Sequence, residues 1–215
     1  GRMADAIKLT RLALETSPRD AEAFNNLALL FRDQCDIGSC LEYLDECLRL
    51  DPENPHACSN RLMTLNYPSE RSREDVFEAH RSWGERLERA VPAQYTSWEP
   101  ASSSGAPLRV GYISPDLYTH SVSYFVHAAL RYHDPAYVHV TCYSDVAVED
   151  DKTRHFRTLV PRWRSIAGKP DEEVAKMIHE DGIEVLVELT GHTGNNRLSA
   201  LARRPAPVIV TYLGY

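Results

Sequence analysis

Two histidines in the second half of the sequence lie in polar segments that suit proton transfer to or from a hydroxyl group. His120 lies within residues 114–125, and His192 lies within residues 190–197. A neutral imidazole in such a segment can accept a proton or a hydrogen bond near neutral pH. The alternative for His120 is that its ring only caps a helix that begins near Ser121. For His192 a purely structural role is the stronger alternative.

Both polar segments directly follow runs with the composition of buried β-strands. These runs cover residues 108–114, 138–143, 183–190 and 207–213. Sequence that is compatible with helices separates each neighbouring pair, and strands that alternate with helices predict a parallel sheet with crossover helices. Ligands bind at the carboxyl ends of the strands in such sheets. We therefore predict that His120 and His192 lie on the same rim of the sheet.

The first half of the sequence carries a helical repeat with a period of 34 residues. Pro18 and Pro52 mark this period, and the residues between them follow the tetratricopeptide pattern of large, small and aromatic positions. The positions that define the pattern are Phe24, Leu27, Ala28, Phe31, Cys40, Leu44 and Cys47. One complete repeat is flanked by partial ones, and stacking needs about three units. We therefore expect the array to continue upstream of Gly1.

Two asparagines, Asn26 and Asn60, occupy the same position in successive repeats. A side-chain amide at this position could donate to and accept from the backbone of an extended peptide. The alternative is a solvated amide, or a hydrogen bond within the repeats. The residues alone leave both interpretations open.

The bulk composition argues against several functional classes. The net charge of −7 and the lack of a basic stripe argue against nucleic-acid binding. No apolar run approaches the roughly 18 residues that span a bilayer, and the first residues lack a secretory signal, so we expect no membrane partner. The five cysteines form no CxxC pair, which favours reduced, packed thiols in the cytosol or nucleus.

Metal binding and several common nucleotide motifs are also disfavoured. We assign surface or packing roles to His127, His133, His139 and His155, because none has a second histidine or cysteine at a metal-ligand spacing. The sequence contains no GxxxxGK[ST], GxGxxG or GxSxG motif. This weakens P-loop enzymes, dinucleotide oxidoreductases and serine hydrolases as candidates.

The pattern predicts three segments along the chain. Residues 1–68 carry the helical repeats, residues 69–106 form a docking helix and a linker, and residues 107–215 form the α/β domain. The docking helix runs from Arg73 to about Ala90, with apolar residues at spacings of three and four opposite a charged face. Proline, serine and glycine then mark the linker.

Six motifs together resemble the SPINDLY branch of the O-GlcNAc-transferase-like glycosyltransferases. They are Gln94-Tyr-Thr-Ser-Trp98, Arg109-Val-Gly-Tyr-Ile-Ser-Pro-Asp116, His120-Ser-Val-Ser-Tyr-Phe125, Val187-Glu-Leu-Thr-Gly-His-Thr193, Arg204-Pro-Ala-Pro207 and Leu213-Gly-Tyr215. The resemblance covers essentially the whole chain. It implies an α + α/β fold, in which a tetratricopeptide-repeat α-solenoid precedes the amino-terminal Rossmann-like lobe of a GT-B glycosyltransferase.

The resemblance implies transfer of a sugar from a nucleotide donor to Ser or Thr hydroxyls of nuclear and cytosolic proteins, without a metal or other cofactor. The SPINDLY branch resembles a protein O-fucosyltransferase that uses GDP-fucose, whereas the sister branch uses UDP-N-acetylglucosamine. The sister branch tends to have Tyr in place of His192, which favours the SPINDLY branch. The repeats would recruit the acceptor proteins, and upstream repeats would mediate any homo-oligomer.

The same resemblance assigns His120 as the active-site histidine and places a donor and acceptor cleft around it. The cleft residues by this assignment are Asp116, Ser121, Thr190, Gly191, His192, Thr193, Gly214 and Tyr215. The phosphate-binding groups, including a lysine, would lie in a second lobe after Tyr215. We therefore expect that the 215 residues alone neither bind the donor tightly nor turn over. The alternative function is a non-catalytic adaptor that only holds partner proteins.

Overall fold

The computed structural model describes residues 2–68, 70–98 and 105–214. The chain divides into two compact units, Gly1–Glu85 and Arg86–Tyr215. The division falls inside the helix that the sequence predicted as the connection between the repeats and the α/β domain. The expected linker covered residues 92–107, and residues 99–104 of it lie outside the described residues.

The first unit is helical. Its helices are α1 (Arg2–Thr16), α2 (Ala21–Asp33), α3 (Ile37–Leu50), α4 (Pro55–Thr64) and the first part of α5 (Arg73–Ala90). The first four pack in chain order, each against the next. The bounds of α5 agree with the helix that the sequence pattern predicted, and the predicted repeat positions 24–31 and 40–47 lie on α2 and α3.

The loops of this unit cap the helices that follow them. The Asp20 carboxylate accepts a hydrogen bond from the Ala23 amide at 3.0 Å, and Asn54 accepts one from the Ala57 amide at 2.9 Å. Such caps satisfy amide groups that have no partner inside the helix. Asp20 and Asn54 are 34 positions apart. The period in the sequence is therefore also the period of the helix starts.

Small residues fill the core between these helices. The buried cluster consists of Ala28, Cys40, Leu44, Cys47 and Ala57. None of the five cysteines, all of which lie in the described residues, is in a disulfide, and Cys58 and Cys142 are buried as well. This confirms the prediction of packed, reduced thiols for four of them. Cys35 departs from it, because it lies exposed in the turn after α2.

The second unit is a parallel sheet with helices on both faces. Its strands are β1 (Leu108–Ser114), β2 (Val138–Ser144), β3 (Arg162–Ser165), β4 (Val185–Glu188) and β5 (Val208–Thr211), and its helices are α6 (Ser121–Tyr132), α7 (Asp151–Leu159), α8 (Asp171–Glu180) and α9 (Leu198–Ala202). The strand order is β3-β2-β1-β4-β5, and every neighbouring pair is parallel. The predicted parallel sheet is confirmed.

Alternate residues of β1 point to opposite faces and belong to different cores, as the pleat of a strand requires. Val110 and Tyr112 join the core that includes Val126 of α6 and Phe156 of α7. Ile113 joins the other core, which includes residues of α8 and α9. Because β1 lies between β2 and β4, its carboxyl end is the centre of the rim where the candidate site lies.

The sequence pattern missed β3. Arg162 and Arg164 interrupt any apolar alternation, so the strand has no hydrophobic signature. Their charges are balanced by the buried carboxylate of Asp181, which is 2.7 Å from Arg162 and also accepts hydrogen bonds from Arg164 and the Tyr143 hydroxyl. An ion-pair network therefore stabilises this edge strand, in addition to the packing of Trp163 against the core.

The predicted strands 183–190 and 207–213 were too long. The structure restricts them to β4 and β5. β4 ends at Glu188. The Leu189 amide still donates to the Ile113 carbonyl of β1 at 3.3 Å, but the following amide, that of Thr190, donates to the Glu188 side chain. The predicted run therefore included the first residues of the loop that follows β4.

The motif that begins at Gln94 crosses the second unit near α8 and α9. The amides of Gln94 and Tyr95 both donate to the carbonyl of Arg203, at 3.0 and 3.2 Å. The Tyr95 ring stacks on His179 of α8, with centroids 3.9 Å apart. Within residues 2–68, 70–98 and 105–214, no helix has the length and apolar character needed to cross a membrane.

Candidate active site

The candidate site lies at the carboxyl edge of β1, β2 and β4. β1 pairs in parallel with both other strands, so the loops that leave the three strands start along one rim of the sheet. The prediction that the segments of His120 and His192 share a rim is therefore confirmed. This is the edge at which open α/β sheets bind ligands.

His120 is the N-cap of α6. Its Nδ1 accepts a hydrogen bond from the Val122 amide at 3.4 Å, and the Ser123 hydroxyl donates to the His120 carbonyl at 2.8 Å. The capping role that the sequence left open is thus present. The imidazole is nevertheless 37% exposed, so the cap does not occupy the whole ring. Ser121, the first residue of the helix, is exposed beside it.

Asp116 lies behind the His120 ring. Its Oδ1 is 3.7 Å from His120 Nδ1, and its side chain is 12% exposed. Its amide donates to the Ser114 hydroxyl at 2.9 Å, which fixes the loop backbone. Burial raises the pKa of the Asp116 carboxyl, and the nearby His120 opposes that rise. The structure thus brings together two residues that the family resemblance assigned to the active site and its cleft.

Asp150 ties the first loop to α7, and sequence reasoning missed it. Its carboxylate accepts a hydrogen bond from the Thr119 amide at 2.8 Å and caps α7 through the Thr153 amide at 2.8 Å. The hydrogen bonds from Thr119 and Thr153 hold the pKa of Asp150 well below its ordinary value. An aspartate directly before a helix was the signal available in the sequence.

Glu188 shapes the loop after β4 and was also missed as a site residue. Its side chain is almost fully buried. The Gly191 amide donates to both carboxylate oxygens, at 3.0 and 2.9 Å, and the Thr190 amide donates to one of them. Burial raises the pKa of Glu188, the amides of Gly191 and Thr190 oppose the rise, and the charge of Asp116 adds to it. A charged residue at the end of a buried strand was the available signal.

Gly191, at the start of this loop, packs against the segment after β5. Gly191 has a φ of 59°, in the left-handed region that favours glycine. A Cβ added to Gly214 would lie 2.7 Å from the Gly191 nitrogen, so the two backbones touch. The structure therefore brings Gly191 and Gly214 together. Tyr215, the other cleft residue of this segment, lies outside the described residues.

The threonines of the loop are engaged in its internal structure. The Thr193 hydroxyl donates to the Thr190 carbonyl at 2.8 Å, and Thr190 itself is buried. His192, which lies between these two threonines in the sequence, is half-buried. The loop therefore presents a folded turn rather than an extended strand.

Arg197 anchors the end of the loop. Its guanidinium forms a bidentate pair with Asp145, at 2.8 and 2.9 Å, and a third contact with Asp171 at 2.8 Å. Asp145 follows β2 and Asp171 begins α8, so one side chain connects the segments that follow β2 and β4 and the start of α8. These contacts raise the pKa of Arg197 above its already high value. An arginine with this many partners is not available to bind a phosphate.

The two asparagines of the first unit differ in their surroundings. The Asn60 amide donates to the Asn25 side chain at 2.9 Å, which is the hydrogen bond within the repeats that the sequence left open. Asn26 lines an open groove of about 420 Å³ between α1 and α2, together with Leu9 and Glu22. A peptide-binding role for Asn26 and Asn60 remains a prediction.

The histidines that the sequence treated as dispersed include one close pair. The Nε2 atoms of His127 and His155 are 3.1 Å apart, and His133 Nε2 is 2.8 Å from the Tyr112 hydroxyl. In the part of the chain that the structure describes, no group of three or more His, Cys, Asp or Glu side chains could hold a metal ion.

Comparison with known proteins connects this geometry to a family. Residues 58–215 match the family described as glycosyl transferase family 41. The chain is 45% identical over 175 residues to the probable UDP-N-acetylglucosamine--peptide N-acetylglucosaminyltransferase SPINDLY of Oryza sativa subsp. japonica, which covers 80% of this chain and 19% of that protein. The SPINDLY protein of Arabidopsis thaliana, which carries the same description, is 47% identical over 171 residues, or 78% of this chain and 19% of that protein.

Two further matches have lower sequence identity to the chain. The probable UDP-N-acetylglucosamine--peptide N-acetylglucosaminyltransferase SEC of Arabidopsis thaliana is 29% identical over 109 residues, which is 50% of this chain and 11% of that protein. A solved structure, the Thermobaculum terrenum O-GlcNAc transferase mutant K341M, matches with a TM-score of 0.92 and 31% identity, over 100% of this chain and 41% of that one.

The chain thus spans about a fifth of the length of the SPINDLY relatives that it matches. The α/β fold predicted from the sequence is confirmed and is of the GT-B-like type. Because the family match covers most of the sequence, this chain belongs to glycosyl transferase family 41.

Proposed function

We propose that this chain contributes the acceptor-activating side of a protein O-glycosyltransferase, which transfers a sugar from a nucleotide donor to Ser or Thr hydroxyls. The observation that carries the proposal is the pairing of His120 with buried Asp116 at the carboxyl edge of the sheet. An exposed imidazole backed by a carboxyl is an arrangement suited to removing a proton from a hydroxyl. The family membership supplies the reaction class.

The reaction needs a group that accepts the hydroxyl proton and positive groups that stabilise the leaving diphosphate. We assign the first role to His120. Arg197 does not supply the second, because Asp145 and Asp171 hold its guanidinium. We therefore assign the phosphate-binding groups to the second lobe that the family resemblance implies, and we expect these 215 residues alone to be inactive. We propose, from the family resemblance, that the transfer requires no metal.

We further propose that the helices of the first unit belong to a tetratricopeptide-repeat solenoid that recruits acceptor proteins. The 34-residue spacing of the N-caps Asp20 and Asn54 supports this, as do the small residues in the core of α2 and α3. Asn26 in the open groove is the candidate contact to an acceptor peptide. Acceptors of this kind would be cytosolic and nuclear proteins.

We propose GDP-fucose as the nucleotide-sugar donor. Higher identity to the SPINDLY relatives than to SEC, together with His192, favours GDP-fucose through the resemblance stated above. The names of the same relatives contain UDP-N-acetylglucosamine, which is the alternative donor.

The test uses the protein at the length of its relatives. It is incubated separately with GDP-fucose and UDP-N-acetylglucosamine, with a Ser/Thr-rich acceptor peptide, and the mass added to the peptide identifies the sugar. We expect His120→Ala to abolish most of the transfer, whereas the surface variant His139→Ala should stay active. If neither donor supports transfer, the adaptor function replaces the enzyme. If His120→Ala remains fully active, His120 loses the assigned role.

A further inference from the structure

The Nδ1 atom of His120 faces two groups that require opposite protonation states. The Val122 amide, at 3.4 Å, can only donate, so it requires a lone pair on Nδ1. The ionised carboxylate of Asp116, with Oδ1 at 3.7 Å, can only accept, so it requires a proton on Nδ1. Both distances exceed the roughly 2.9 Å of a well-formed hydrogen bond. The ring therefore lies between two partners and is held strongly by neither.

We propose that Asp116 is a positioning residue that draws the proton of neutral His120 onto Nδ1, so that the lone pair on Nε2 is free to act as the base. The inference rests on the proposed function and deepens it. In the other tautomer Nδ1 accepts from Val122 and Nε2 carries the proton, so Nε2 can only donate. Asp116 thus determines whether Nδ1 of His120 accepts the Val122 amide of the helix or carries the proton, which leaves Nε2 free as the base.

The position of Asp116 suits this role. Its loop is fixed by the hydrogen bond to Ser114, and its side chain is mostly buried, where electrostatic interactions are stronger than in water. Closing the distance from 3.7 Å to a hydrogen bond requires His120 to move by about 1 Å. A side chain at a partly exposed helix start can make such a shift without disturbing the sheet.

The other carboxyls around this loop accept hydrogen bonds from backbone amides. Glu188 accepts the amides of Thr190 and Gly191, and Asp150 accepts those of Thr119 and Thr153. Among the described residues, Asp116 is the carboxyl that lies within 4 Å of the His120 ring.

The resulting step balances in atoms and charge. The acceptor hydroxyl gives its proton to Nε2 of His120 as its oxygen bonds to the anomeric carbon. The bond between that carbon and the diphosphate oxygen breaks, and the electron pair leaves with the nucleoside diphosphate. The imidazolium that forms keeps its Nδ1 proton hydrogen-bonded to the Asp116 carboxylate. An Asp that fixes the tautomer and stabilises the imidazolium is an established arrangement in acid–base catalysis.

The test measures the tautomer of His120 directly by ¹⁵N NMR of its ring nitrogens in this chain. The pH is set well above the ordinary pKa of imidazole, so that the ring is neutral. In the folded protein we expect the Nδ1–H population to exceed that of the urea-unfolded chain by about twofold or more. Asp116→Asn keeps the shape, removes a buried charge and should return the population towards the unfolded value. The matched control Asp134→Asn removes an exposed charge near the other end of α6 and should change nothing.

Two results would overturn the proposal. One is a folded protein whose Nδ1–H population is no higher than in the unfolded chain, which can be decided without any variant. The other is an Asp116→Asn protein that keeps the wild-type tautomer ratio. Because the measurement needs neither donor nor turnover, a lack of sugar transfer would leave it intact, and an unchanged tautomer would leave the transferase assignment intact.

Discussion

The backbones of Gly191 and Gly214 touch at the carboxyl edge of the sheet. A Cβ on Gly214 would lie 2.7 Å from the Gly191 nitrogen and 3.0 Å from its Cα. The loop after β4 and the segment after β5 are therefore in contact through main-chain atoms alone. Because the Gly191 amide is also bound by Glu188, a shift at Gly214 reaches the centre of the candidate site.

We expect Gly214→Ala to force these backbones apart and to cost about 1–3 kcal/mol of stability. In the full-length protein the same variant should reduce sugar transfer. Gly194→Ala is the matched control, because a Cβ there meets nothing within 4 Å. Thermal unfolding of the two variants checks the prediction, and equal stability of Gly214→Ala and Gly194→Ala would contradict it.

Glu188→Gln should loosen the loop after β4. The amide of glutamine offers one oxygen, and its NH₂ group cannot accept the Gly191 amide as the second carboxylate oxygen does. We expect hydrogen exchange of the Gly191 amide to become about tenfold faster. Glu180→Gln, which removes an exposed partner of Lys176, should leave that rate unchanged. An equally protected Gly191 amide in Glu188→Gln would show that the carboxylate does not hold the loop.

Arg197→Gln should be strongly destabilising, because it leaves the buried carboxylate of Asp145 without its partner. Breaking a buried ion pair by removing one member costs about 3–5 kcal/mol. The exposed pair of Arg154 and Asp151 provides the comparison, and Arg154→Gln should change stability by less than about 0.5 kcal/mol. Denaturant titration measures both. A small effect of Arg197→Gln would mean that water reaches Asp145.

The stability of the second unit should fall as the pH drops through about 6.5. Burial lowers the pKa of His133 in the folded state, so the unfolded chain binds the proton more readily. The stabilisation is therefore complete above the unfolded pKa and is lost as the pH falls through it. His127, whose pKa is lowered by desolvation and by Lys152, acts in the same direction.

His133→Gln removes this titration while it keeps a hydrogen-bond acceptor for the Tyr112 hydroxyl. We expect a flatter dependence of the unfolding free energy on pH between about 5 and 7.5 than in the wild type. Denaturant melts at several pH values provide the measurement. Parallel curves for the two proteins would exclude His133 as a source of the dependence.

Substitution by Ala should lower stability at Asn60 and weaken peptide binding at Asn26. Asn60→Ala leaves the Asn25 side chain without its partner and should cost about 1 kcal/mol of stability. Asn26→Ala, in the open groove, should leave stability unchanged and weaken binding of an acceptor peptide. Calorimetric melts and peptide titrations separate the two effects. Unchanged peptide affinity in Asn26→Ala would remove the groove from the proposed binding surface.

The strongly patterned elements were predictable from the sequence. Helix α5 matches its predicted bounds because its apolar stripe and charged face repeat with the helical period, and β1 matches because its run is apolar and bounded by polar residues. β3 was not predictable, since its arginines depend on Asp181, a residue distant in sequence. The same limit applies to the pair of His127 and His155, which only the packing of α6 against α7 brings together.

The candidate site was predictable in its location and less so in its chemistry. The order of strands and polar loops predicted the rim, and the resemblance identified His120. The roles of Glu188, Asp150 and Arg197 depend on which backbone amides and carboxylates face them after folding. Their sequence neighbours do not carry that information.

An imidazole at the start of α6 has a practical implication for protein engineering. Serine, aspartate and asparagine are the preferred residues at such a position, and histidine is not among them. A redesign that ranks substitutions by thermostability would therefore replace His120 early. Under the function proposed here, such a variant would gain a more stable helix and lose sugar transfer. Variants at this position should therefore be tested for the proposed sugar transfer as well as for heat resistance.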